Sequence, residues 1–118
     1  AMVHVMLPLN LEQGRTNPMK YADTGIRETV RQMEAKGASR ARIVAKIAGG
    51  AKMFETGGSS ALGNIGQRNT DSVKLNLRKE GVRLLAEDVG GTTARTLSFD
   101  AATGQGQIRS YGKKDIIF

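Results

Sequence analysis

The chain has 118 residues, a formal net charge of +7, a sequence pI near 10.2 and no cysteine. That length suits one domain with a single core, and without cysteine these residues hold no disulfide, thiolate metal site or cysteine nucleophile. The single histidine and the lack of clustered carboxylates supply no metal site, no apolar run approaches the ~20 residues of a membrane span, and 18 dispersed Lys and Arg with five aromatics favour an acidic partner without specifying nucleic acid.

The first eight residues, AMVHVMLP, read as a short strand. Met2, His4 and Met6 share one face, Val3, Val5 and Leu7 the other, and Pro8 closes it because proline cannot donate to a ladder. The chain opens already inside this strand and without an initiating Met, so a truncated N-terminus is expected; no secretory or transit signature is visible. Imidazole takes up and releases protons near neutral pH. Pattern alone makes a lone strand histidine more often structural than catalytic, so the case for His4 depends on the motifs downstream of it.

A polar connection, LNLEQGRTNP, leads to a helix over 19–36. Ala22, Ile26, Val30 and Met33 recur at spacings of four, four and three and make one apolar stripe. Gly25 marks close packing and Gly37 terminates the helix. Residues 42–48 (RIVAKIA) form a strand with Ile43, Ala45 and Ile47 on the buried face. It runs into Gly49-Gly50, but no phosphate-loop or dinucleotide fingerprint comes after, and no cofactor is expected. The next glycine-rich segment shows neither helical nor strand period. It is expected to be a mobile loop carrying Met53 and Phe54, the most apolar candidates for a partner anchor; Ser59 and Ser60 lack a local base and read as loop residues.

A second helix is expected over 66–80, with Val73 and Leu77 inward, Asn69 a candidate to join them, and Gly81 as its stop. Asn69 and Arg68 either contact substrate or cap and pack. A strand over 82–89 and the Gly90-Gly91 turn precede a hairpin of 94–100 and 107–111, and the apolar tail KKDIIF can add a last strand. Glu87, Asp88 and Arg95 are candidates for an ion-pair set beside that hairpin. The expected class is α+β, a layered α/β sandwich with a mixed sheet in the order βαβα followed by three or four strands, spanning 1–118 as one domain.

Five segments occur in one order with matched intervals: AMVHVMLP, KYAD at 20–23, KIAGGAKMF at 46–54, NIGQRN at 64–69 and LAEDVGG at 85–91, with Arg95 four residues on. Together they resemble the chemoreceptor glutamine deamidases of chemotaxis, the CheD family, over essentially the whole chain. The resemblance implies a sandwich with papain-like catalytic logic, like the deamidase domain of the cytotoxic necrotizing toxins. It implies a cytoplasmic enzyme that hydrolyses glutamine side chains of methyl-accepting chemotaxis receptors to glutamate, with no cofactor and no metal. The histidine of the family's H-V-M-L-P motif falls on His4, the acid–base group. The family's nucleophilic cysteine, in a G-S-C segment, and a threonine just before it lie upstream of that histidine, where this sequence does not reach. Two readings are open: a deamidase fragment, which the in-strand start favours, or a non-catalytic adaptor for the CheC-type phosphatase that the family binds. Met53 and Phe54 are the candidate anchor for that phosphatase.

Overall fold

The computed structural model describes residues 1–11, 17–52 and 64–118. Met53, Phe54, Ser59 and Ser60, with the anchor and loop readings placed on them, lie outside the described residues. After a 3-10 turn at Pro18–Lys20, whose Asn17 side chain caps the Met19 N–H, helix α1 runs Ala22–Ala35. The expected stripe is its buried face: Ala22, Ile26 and Val30 are buried and Met33 is half-buried. On the outer face Glu28 accepts from Arg31 Nε at 2.8 Å and from Gln32 Nε2 at 3.0 Å. These bonds, the Arg31 bond foremost, hold its carboxyl at about 2, below the ordinary 4.5. Gly37, at φ +102°, takes the left-handed turn that ends the helix.

Strand β1 (Val44–Gly49) and strand β2 (Arg83–Val89) pair in parallel, joined through helix α2 (Ile65–Lys79), as a parallel pair requires a crossover. The register shifts between Ala45 and Lys46, which bulges β2 by one residue. The core lies between this pair and the two helices: Ile26 and Val30 of α1, Leu77 of α2, and Ile43 and Val82 at the strand entries. The crossover brings the end of β1 onto the first turn of α2 so closely that both contact residues are glycine. A Cβ on Gly66 would lie 2.5 Å from Gly50 O and 2.9 Å from Ala51 O.

Beyond β2, strands β3 (Thr96–Phe99), β4 (Gly106–Arg109) and β5 (Ile116–Ile117) form an antiparallel sheet in chain order. Lys46 of β1 links it to the parallel pair. Its Nζ donates to Gly104 O and Phe118 O, each at 2.8 Å, and sits 5.8 Å from the centre of the Phe118 ring.

The architecture is α+β, with four strands after the second helix. Two expectations are corrected. The described strands do not share one mixed sheet; they form a parallel pair and an antiparallel triplet. The N-terminal segment is not a strand of either. Its alternation survives, since Met2, His4 and Met6 are exposed while Val3, Val5 and Leu7 are half-buried. Its inner face packs on a helix instead of sheet neighbours: Val5 Cγ1 lies 3.4 Å from the Cβ position of Gly25 in α1. The only bridge the segment makes among the described residues is the parallel one between Leu7 and Tyr21.

Candidate active site

His4 stands on the outer face of this extended segment, and the backbone on its C-terminal side is held from two directions. From the α1 side, Lys20 O accepts from Met6 N at 2.7 Å and from Leu7 N at 3.1 Å, and Leu7 O accepts from Ala22 N at 2.8 Å. From the α2 side, Asn69 Nδ2 donates to Met6 O at 3.1 Å and Ser72 Oγ to Pro8 O at 2.7 Å. Pro8 suits the second contact, because a residue with no N–H still offers its carbonyl. Asn76 Nδ2 completes the array, reaching Ser72 O at 2.8 Å and Ser72 Oγ at 3.2 Å.

His4 is among the N-terminal residues that border an open groove of about 330 Å³ enclosed by that segment, α1, β1, α2 and the hairpin, with Ile26, Val30, Met33, Ile47 and Phe118 among its walls. The His4 side chain is exposed and so accessible to a reacting group. No described residue hydrogen-bonds either ring nitrogen. The orienting acceptor expected of a catalytic histidine is therefore not among the described residues.

The remaining sequence candidates divide. Arg95 meets Asp88 as expected, Nε to Oδ2 at 2.9 Å, but Glu87 pairs with Lys74 of α2 at 2.8 Å, so the set is two separate pairs. Arg95 also donates to Gly49 O at 3.0 Å and Gly90 O at 2.6 Å. One guanidinium, its side chain 11% exposed, thereby ties together the glycine turns at the ends of β1 and β2. Of the two readings for Asn69, packing is realised through Met6 O; Arg68 is exposed. Ser72 and Asn76 support the His4 segment and are not marked by the sequence pattern, although with Asn69 they recur at spacings of three and four and so share one helix face.

The family described as CheD chemotactic sensory transduction matches residues 6–110. Similar proteins extend the match. The chemoreceptor glutamine deamidase CheD of Thermotoga maritima is 46% identical over 113 residues, which are 95% of this chain and 68% of that protein. The probable chemoreceptor glutamine deamidase CheD of Symbiobacterium thermophilum is 45% identical over 115 residues, 96% of this chain and 70% of that one. Its counterpart in Syntrophomonas wolfei is 42% identical over 113 residues, 95% and 70%. With a family match across most of its length and relatives this similar, the chain belongs to the CheD family of chemotaxis proteins.

Proposed function

We propose that this chain is the histidine-bearing part of a chemoreceptor glutamine deamidase, a cytoplasmic protein-glutamine glutaminase built as a layered α/β sandwich. The observation that carries the reading is the 42–46% identity, over nearly the whole chain, to proteins named for that activity. The exposure of His4 beside a groove supports it as the acid–base group. The nucleophile is a cysteine thiolate supplied by chain upstream of Ala1. It attacks the carboxamide carbon of a receptor glutamine, and His4 gives a proton to the departing nitrogen, which leaves as ammonia. His4 then takes a proton from water as that water attacks the thioester, yielding glutamate and regenerating the thiolate. The 118 residues alone, without a cysteine, do not turn over. The net charge of +7 suits acidic receptor surfaces. Met53 and Phe54 are proposed to anchor a CheC-type phosphatase.

The test is His4→Ala in the full-length protein, read as ammonia release from a receptor fragment beside a thermal melt. His4 is exposed, so the melt stays put while turnover falls by at least about a hundredfold. Full turnover by the variant removes His4 from the mechanism. An upstream sequence lacking the cysteine replaces the enzyme with the second reading, a non-catalytic adaptor for the phosphatase.

A further inference from the structure

The face that α2 turns toward the His4 segment is polar where packing alone calls for apolar residues. Residues 69, 73 and 77 are spaced by four and form one inward stripe. Val73 and Leu77 fill two of its places, and Leu77 is 6% exposed. Asparagine takes the third. Leucine there would lengthen the apolar stripe and raise helix propensity. A rule broken locally inside an otherwise consistent element points to function.

What Asn69 does is visible in its two ends. Only the amide nitrogen can donate to a carbonyl, so the bond to Met6 O at 3.1 Å fixes which way the amide faces. The Oδ1 atom, turned away, is buried and accepts no hydrogen bond among the described residues. An acceptor stripped of water and left unpaired works against folding. Asn69 is therefore poorly explained as a stabilising residue, yet it holds the one described side-chain bond to Met6, two residues from His4 and on the same face. The Met6 N–H is simultaneously held by Lys20 O at 2.7 Å. Lys20 O thus holds the N–H groups of the peptides on both sides of Met6, and Asn69 of α2 holds the carbonyl of the second.

We infer that Asn69 is a positioning residue for His4, setting the extended segment's height and tilt on α2 so that the imidazole meets the scissile amide. The inference rests on the reading of His4 as the acid–base group. A donor lost at Met6 O lets the segment shift, and displacements of about 1 Å at a reacting group can cost on the order of a hundredfold in rate.

The experiment uses the full-length protein and compares Asn69→Leu, Asn69→Asp and His4→Ala in ammonia release, with kcat expressed per folded molecule. Asn69→Leu completes the apolar stripe and removes the unpaired oxygen; its melting temperature is expected at or above the parent's. Asn69→Asp keeps the shape but sets an oxygen against Met6 O. Both are expected to lower kcat between about ten- and a hundredfold, with KM within about twofold, because substrate contacts are untouched. A structural role predicts the opposite: kcat per folded molecule unchanged in both variants whatever the melts show. That result with His4→Ala inactive overturns the assignment of Asn69 alone; with His4→Ala also fully active, the reading of His4 falls too.

Discussion

Replacing Gly66 by alanine sets two effects against each other. Alanine in place of glycine favours a helix by up to about 1 kcal/mol. At Gly66 the added Cβ would lie 2.5 Å from Gly50 O, 2.7 Å from Gly50 C and 2.9 Å from Ala51 O, all backbone atoms that cannot rotate aside. Opening these contacts to van der Waals distance moves the end of β1 off α2 by most of an ångström, and overpacking on that scale costs about 1–3 kcal/mol or more. Gly50 already occupies φ +67°, so its own torsions have little room to absorb the shift. The net expectation is a loss of about 2 kcal/mol, read as a melting temperature lower by roughly 5–10 °C. Gly25→Ala in α1 is the control. Its Cβ meets Met19 O, Pro18 O and Val5 Cγ1, each at 3.4 Å, which is near ordinary contact, so the helix gain survives and the melt stays level or rises. Calorimetry of both variants separates close packing from propensity. A Gly66→Ala protein as stable as its parent would refute the crossover geometry.

Two further outcomes come from the charged groups. Arg95→Lys loses the planar fork that reaches Asp88, Gly49 O and Gly90 O together; chemical denaturation is expected to show a loss of about 2 kcal/mol, and a change within error would mean the glycine turns hold without it. Glu28, held at about 2 when folded against 4.5 unfolded, stabilises the fold above pH ~4.5, and that contribution disappears as pH falls toward 2. The melts of Glu28→Gln and the parent are therefore expected to differ at neutral pH and converge by pH 2; a difference independent of pH counts against the Arg31 and Gln32 bonds as its source.

The legible part of the fold is the part that period governs. Ala22, Ile26 and Val30 announce α1 because a 3.6-residue repeat admits one buried face, and Gly37 and Gly81 announce helix ends because each carries a left-handed φ, +102° and +71°. Period fixes a face, not what covers it. The alternation of AMVHVMLP is as clear in the structure as in the sequence, but its inner side chains meet α1, so alternation alone mistakes an extended segment for a sheet strand. The same limit applies to strand partners: nothing in KIAG or IRS states that one pairs in parallel and the other antiparallel, because pairing depends on residues far apart in sequence.

The site shows the converse. The motif around His4 marks it as a candidate, whereas nothing marks the groups that hold its segment, because apolar period is the signal that marks a helix face and the contribution of α2 here is polar. Ser72 and Asn76 are each 8% exposed, the burial of core residues, and they satisfy each other and Pro8 O. Buried hydroxyl and amide groups are tolerable only when bonded, and here the Ser72 hydroxyl reaches a backbone carbonyl 64 positions earlier in the chain. A helix that packed on the segment through leucines would bury more apolar surface and leave it free to slide, since apolar contact is non-directional. Hydrogen bonds to Met6 O and Pro8 O have distance and angle requirements that a sliding contact lacks. The polar face of α2 thus gives up some apolar burial for a fixed register of the segment that carries His4.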